Sequence, residues 1–184
     1  MLFGFRGIRV FQAFLALVTL ACGIGATVLL KAFTDGASFV ALVGAIVLAA
    51  VFLWTFGAAL RAPTSFVAIS PERTRIRFAG FVDTVIDNRD VAGARLARHR
   101  PWAGVGVRTN FQGDVALVTA WGEVAELVLN RPLRVWLIPK LVPLRASRLR
   151  LSVRHPEKLV ERFGAPPASP AAGTARKMKT RRRR

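Results

Sequence analysis

The stretch LRLSVRHPEKLVERFG, residues 149–164, indicates a strand that runs directly into a short helix. Its first five residues alternate apolar and polar side chains, which is the period of a strand with one buried face. His155 stands where the helix would start, Pro156 suits its first turn and Gly164 suits its end. One face of this predicted helix is apolar and consists of Leu159, Val160 and Phe163. The stretch therefore predicts the closing strand and helix of a β domain.

Residues 64–148 consist of short runs of alternating apolar and polar residues that are separated by turn residues. Pro71 and the Trp121-Gly122 pair mark two of these turns. This spacing is typical of an all-β domain. Together with the final helix, it predicts a domain of about seven or eight strands over 64–164.

Two apolar runs precede this domain, and residues 10–30 and 37–60 contain no charged side chain. At about 1.5 Å per residue, each run is long enough for a helix that crosses the roughly 30 Å hydrocarbon core of a bilayer. A domain of the remaining size cannot cover two helices that are apolar on all sides. We therefore expect transmembrane helices at 10–33 and 37–60.

The distribution of positive charge predicts the orientation of these helices. Arg6 and Arg9 precede the first run, the connection around Asp35 carries little charge, and the chain after Arg61 is strongly basic. By the positive-inside rule, both termini are expected in the cytoplasm. The predicted location is the bacterial cytoplasmic (inner) membrane, with a cytoplasmic N-terminus at residues 1–9.

The order of these elements resembles the bacterial pleckstrin-homology-like (PH-like) domains that follow membrane hairpins. The resemblance rests on the strand number, on the two preceding spans and on the sequence SVRHPEKLVERF, which is similar to the family's closing strand, proline-acid step and final helix. It covers residues 64–164. The resemblance implies a partly open barrel of two near-orthogonal sheets with a C-terminal plug helix. The predicted fold class is thus a membrane α-helical hairpin plus an all-β cytoplasmic domain.

The residues that carry most enzyme chemistry are few in this sequence. His99 and His155 have no His or Cys at the spacing of a metal site. Asp83, Asp87 and Asp90 are spaced like exposed strand and turn residues, which pair readily with neighbouring arginines. We therefore predict neither an enzyme nor a bound cofactor or metal.

Positive charge is the dominant feature of the sequence. The chain has 28 Lys and Arg residues against 10 Asp and Glu residues, so an anionic partner is favoured. Arg73, Arg75 and Arg77 share one face of a predicted strand and superficially resemble the basic strand that binds inositol phosphates in eukaryotic PH domains. The preceding strand lacks the lysine of that pattern, and a solvated strand face is the alternative interpretation.

Residues 165–184 combine a Pro- and Ala-rich linker with a polybasic end, which predicts a disordered tail. Near an anionic leaflet each basic residue contributes about 1 kcal/mol. Nucleic acid would attract the same charge, and positive charge also retains a segment in the cytoplasm. The basic residues of the tail are Arg176, Lys177, Lys179, Arg181, Arg182, Arg183 and Arg184.

The stretch VWLIPKLVPL, residues 135–144, is apolar but contains Pro139 and Pro143. These prolines argue against a continuous interior strand or a regular helix. The stretch either folds back on the open end of the barrel or offers an apolar surface to the bilayer or to a neighbouring subunit. Its candidate contact residues are Trp136, Leu137, Ile138, Leu141 and Val142.

The sequence favours a non-catalytic scaffold or interaction module that is anchored in the membrane. Its expected partners are membrane lipids, with anionic lipid at the basic surface, and a protein partner or a second copy of the chain. The alternative function is a membrane tether for nucleic acid or ribosomes through the polybasic tail.

Overall fold

The computed structural model describes residues 1–36, 38–110, 112–137 and 142–165. A short strand, β1 (Leu2–Gly4), precedes two long helices, α1 (Ile8–Thr34) and α2 (Phe39–Arg61). The strands that follow are β2 (Phe66–Ile69), β3 (Arg73–Phe78), β4 (Val82–Asp87), β5 (Val91–His99), β6 (Gly106–Thr109), β7 (Asp114–Val118), β8 (Gly122–Leu137) and β9 (Val142–Leu151), and the last helix is α3 (Pro156–Phe163). The prediction of two long apolar helices followed by a β-rich domain is confirmed. Strand β1 was not predicted.

Helices α1 and α2 form an antiparallel hairpin whose tip is the turn at Asp35. Their backbones approach closely at glycines, and a Cβ atom added to Gly25 would lie 2.9 Å from Leu48. The hydroxyl oxygens of Thr19 and Thr55 hydrogen-bond across the hairpin at 2.9 Å. Both helices are exposed over most of their length and are long and apolar enough to cross a membrane.

The strands follow one hydrogen-bonded path in the order β1-β2-β3-β4-β8-β9-β7-β6, and β5 pairs with β8 beside this path. Only the pair of Val82 with Leu137 joins β4 to β8, so the path divides into two sheets. One sheet contains β1–β4 and the other contains β5 to β9. The two sheets do not close into a barrel, because no pairing joins β6 to β1 among the described strands.

The core of the domain consists of apolar side chains from both sheets and from α3. Leu159 of α3 is fully buried there, whereas Val160 and Phe163 are only partly buried. His155 occupies the position before α3, but its side chain makes no capping hydrogen bond; its Nδ1 lies 3.3 Å from Glu157 Oε1. Leu159 is therefore the main apolar anchor of the final helix.

The N-terminal strand and the base of the hairpin belong to this same core. Strand β1 pairs with β2, and Phe5 forms a bridge with Val153 on its other side. The ring centroids of Phe5 and Phe11 lie 5.0 Å and 5.6 Å, respectively, from the ring centroid of Phe78. Leu15 in α1 and Ala58 in α2 are also buried in this cluster. The hairpin base and the β domain thus share one hydrophobic core.

Three connections of the β domain lie around the hairpin base, at what we call the hairpin-side end of the domain. Phe81, between β3 and β4, contacts Trp54 of α2 at 5.6 Å between ring centroids. The Arg6 guanidinium donates a hydrogen bond to the Trp121 carbonyl between β7 and β8. At the start of β6, a Cβ atom added to Gly106 would lie 3.8 Å from the Phe11 ring.

Candidate functional site

The arginine stripe that the sequence singled out on β3 is paired with carboxylates of β4. Arg73 Nε lies 3.4 Å from Asp87 Oδ1, and Arg77 Nε lies 3.9 Å from Asp83 Oδ2. Arg75 donates two hydrogen bonds to Asp83, at 3.0 and 2.9 Å. The hydrogen bond from Arg75 is the main reason why the pKa of Asp83 lies below its ordinary value. The positive charge of this strand is thus largely balanced by its neighbour.

The apolar candidates of residues 135–144 lie at the ends of β8 and β9. Trp136 is half-buried in β8, and the backbones of Leu137 and Val142 pair with each other. Leu137 also pairs with Val82, which follows Phe81 at the hairpin-side end. Ile138 and Leu141 lie outside the described residues. The basic residues of the tail, from Arg176 to Arg184, also lie outside them.

A transverse row in which four of the five residues are charged crosses the second sheet. The strand registers align Arg95, Glu126, Arg150, Ala116 and Arg108 in that order. Glu126 is 1% exposed and accepts hydrogen bonds from two arginines, including one of 2.7 Å from Arg150 Nε. Arg95 donates to the other carboxylate oxygen through Nε, at 2.8 Å, and through Nη2.

The two arginines keep Glu126 ionised inside the sheet. Burial alone raises the pKa of Glu126, but the hydrogen bonds from Arg150 and Arg95 outweigh that effect and the net pKa lies below the ordinary value. A buried carboxylate of this kind needs charged partners in good geometry. In return, Glu126 holds Arg150 in a fixed position at the edge of an adjacent cavity.

This cavity, which we call the arginine cleft, has a volume of about 370 Å³. Its lining includes Arg98, Arg100, Arg108, Arg150, Trp102, Asn110 and Asp114. Asp114 is the one carboxylate of the described lining, and it already accepts a hydrogen bond of 3.0 Å from Asn110. Within the described part of the chain, no carboxylate pairs with Arg98, Arg100 or Arg108. The cleft therefore carries uncompensated positive charge.

A short loop after β5 forms one wall of the arginine cleft. His99 is buried, and its Nε2–H donates to the Gly104 carbonyl at 2.8 Å, which closes the loop on itself. The Arg100 guanidinium lies over the Trp102 ring, 5.5 Å from its centroid. His99 therefore has a structural role in positioning this wall.

The arginines of the cleft were not among the residues predicted from the sequence. Arg98 lies at the end of β5 and Arg100 directly after it, while Arg108 lies in β6 and Arg150 in β9. The sequence does show arginines at these positions, but only the pairing of distant strands brings them together. The signal that was available is the lack of a nearby acid around residues 98–108.

The chemistry available in this cleft is anion binding. Arginine binds phosphate and carboxylate groups through charge-assisted hydrogen bonds, and its planar fork permits two at once. In the described ranges, no three His, Cys, Asp or Glu side chains come together in a way that would hold a metal ion.

Comparisons with known proteins give no relative of this chain. No protein-family model, no curated protein and no solved structure matches it.

Proposed function

We infer that the protein is a non-catalytic, membrane-anchored interaction module whose PH-like domain lies on the cytoplasmic face of a bacterial inner membrane. The observation that carries this proposal is the core shared by the hairpin base and the β domain. Phe5, Phe11 and Ala58 belong to that core together with residues of both sheets. A domain anchored in this way keeps its hairpin-side end at a fixed distance from the bilayer.

The lengths of the free helix segments support a membrane position. Helix α1 is packed in the domain core as far as Leu15, so the segment 16–34 extends beyond the domain. At 1.5 Å per residue this segment is about 28 Å long, close to the roughly 30 Å of a hydrocarbon core. Trp54 and Phe81 then fall at the boundary, where aromatic side chains are enriched.

The connection between hairpin and domain supports rigid presentation of the domain. Ala62 directly follows α2 and is fully buried, and only a single 3₁₀ turn separates α2 from the segment leading to β2. Strand β1 ties the other end of the hairpin to β2. Since both connections are short and hydrogen-bonded, the domain has little freedom to swing away from the membrane.

The β architecture supports the PH-like assignment at the level of the element order. Two sheets of mainly antiparallel strands precede a final helix, and Leu159 of that helix is buried in the core. The arginines that line the arginine cleft favour the binding of an anionic partner.

The test of this proposal uses the tagged full chain in its native membrane. We expect the chain to remain in the membrane fraction after an alkaline carbonate wash. After purification in mild detergent, an anionic lipid or an acidic protein should accompany it and should dissociate as salt is raised. Release of the chain by carbonate, or a purified chain with no salt-sensitive companion, would contradict the proposal.

A further inference from the structure

The arginine cleft opens beside the hairpin base rather than at the far end of the domain. The last residue of β5, His99, pairs with Gly122, and the adjacent Trp121 carbonyl accepts a hydrogen bond from Arg6, two residues before α1. On its other side, Gly106 at the start of β6 lies against Phe11 of α1. Both walls of the cleft are therefore held close to the point where α1 leaves the domain.

Exposed tryptophans stand at this same end of the domain. Trp102, in the wall of the cleft, is 79% exposed, and Trp121 is 57% exposed. Tryptophan side chains are highly buried on average, so these exposed fractions are unusually large. Tryptophan is also enriched at the headgroup level of bilayers, because its ring is apolar and its N–H is polar. The position of Trp102 and Trp121 beside the base of the proposed membrane hairpin suits that role.

The charges of the cleft are suited to a phosphate group. The side chains of Arg98 and Arg108 form no hydrogen bond or ion pair with other described residues, and the Arg100 guanidinium lies over the Trp102 ring. Arg150 uses its Nε for Glu126, and no other described residue accepts a hydrogen bond from its guanidinium group. Several guanidinium groups thus keep free donors around one cavity, as in sites that bind phosphate.

We propose that the arginine cleft binds the phosphate group of an anionic phospholipid from the cytoplasmic leaflet, with Trp102 and Trp121 seated at the level of the headgroups. This inference rests on the proposed membrane position and adds the chemical class of the ligand. The arginines supply the contacts with the phosphate, while the tryptophans exclude water at the edge of the cleft.

The experiment compares two triple variants of the full chain in mild detergent. The cleft variant carries Arg98→Gln, Arg100→Gln and Arg108→Gln. The control variant carries Arg89→Gln, Lys158→Gln and Arg162→Gln, which removes the same charge at exposed positions away from the cleft. Native mass spectrometry then measures how much phosphatidylglycerol or phosphatidylcholine each protein retains.

We expect the unmodified chain to retain one phosphatidylglycerol molecule and to discriminate against zwitterionic phosphatidylcholine. The cleft variant should retain at least about tenfold less phosphatidylglycerol, as expected when a charge-assisted hydrogen bond is lost. The control variant should bind like the unmodified chain. Equal retention of the two lipids, or an equal loss of phosphatidylglycerol in both variants, would overturn the proposal. Such a result would mean that diffuse or non-specific attraction accounts for the lipid binding.

A second arm distinguishes a lipid headgroup from soluble phosphate. Inorganic phosphate is titrated into the delipidated full chain and into Trp121→Ala, a substitution at an exposed position outside the described lining of the cleft that is not expected to impair folding. We expect weak phosphate binding that is the same in both proteins, and reduced phosphatidylglycerol retention by Trp121→Ala. Phosphate binding as tight as lipid binding, or unchanged lipid retention by Trp121→Ala, would overturn the lipid assignment. Failure of this proposal would leave the retention of the chain in carbonate-washed membranes unaffected. The proposed function is therefore tested separately.

Discussion

Replacing Phe5 by alanine tests whether the N-terminal strand is part of the domain core. Phe5 is 1% exposed, and its ring makes an edge contact with Phe78, 5.0 Å away between centroids. Its backbone also bridges to Val153, so the N-terminal segment lies between β2 and the segment after β9. Truncation at this position leaves a cavity between the two sheets.

The expected cost follows from the burial of the whole ring. Phe→Ala substitutions in protein cores lower the free energy of unfolding by about 3–5 kcal/mol. For a domain of this size, about 1 kcal/mol shifts the melting temperature by roughly 4 °C or more, so a decrease of at least about 12 °C is expected. The assay is thermal or urea unfolding of the full chain in mild detergent, monitored by tryptophan fluorescence.

Leu2→Ala is the matched control, because Leu2 lies on the same strand but is 73% exposed. We expect Leu2→Ala to change stability by less than about 0.5 kcal/mol, the usual range for surface substitutions. If Phe5→Ala costs no more than Leu2→Ala, the N-terminal strand does not contribute to the core, and the rigid attachment of domain to hairpin is refuted.

Three other perturbations test the remaining parts of the account. Glu126→Gln should lower the free energy of unfolding by about 1.5–3 kcal/mol near neutral pH, because one charge-assisted hydrogen bond is lost. The folded-state pKa of Glu126 lies below its ordinary value of 4.5. The stability that its ionised form contributes is therefore complete above pH 4.5 and is lost as the pH falls through the folded-state pKa. The free energies of unfolding of variant and wild type should converge in acid. Leu159→Ala should cost about 2–5 kcal/mol, and Phe163→Ala less because its ring is only partly buried; urea unfolding that reverses this order would contradict the packing of α3. A peptide of residues 165–184 should bind anionic vesicles in a salt-sensitive way that survives replacement of its arginines by lysine; binding to RNA that weakens on this replacement would favour the nucleic-acid tether.

The elements that could be predicted are those whose signal is local in the sequence. The two apolar helices follow from uninterrupted runs, and α3 follows from Pro156, Gly164 and one apolar face. Most strands follow from alternation, although the length of β8, which continues for 16 residues, does not. A run of alternating residues does not show where a strand bends and continues.

Strand β1 was missed because its residues carry no strand signal of their own. Leu2–Gly4 is short and lies just before the first long apolar helix, so it looks like an ordinary N-terminal extension. It becomes a strand only because β2 and the segment after β9 offer unpaired backbone groups on both sides. Tertiary pairing therefore decides this element, and an isolated fragment that starts at residue 64 lacks it together with Phe5 and Phe11.

The arginine cleft was missed for a related reason. Its arginines are separated by up to 52 positions, from Arg98 to Arg150, and they meet only through the order β5-β8-β9-β7-β6. The stripe on β3 was easier to find because it lies within one strand. The acids that neutralise the stripe, Asp83 and Asp87, lie on the next strand, and their pairing depends on the register.

The most direct test of the account is the position of three single cysteines relative to the membrane. Cys22 is first replaced by serine, and cysteine is then placed at Leu2, Gly36 or Arg162, which are all exposed in the structure. In intact spheroplasts, a membrane-impermeant maleimide should label only the cysteine at position 36, and permeabilisation should expose the other two. Labelling of position 2 or 162 before permeabilisation, or of all three together, would contradict a hairpin that holds the β domain against the cytoplasmic face.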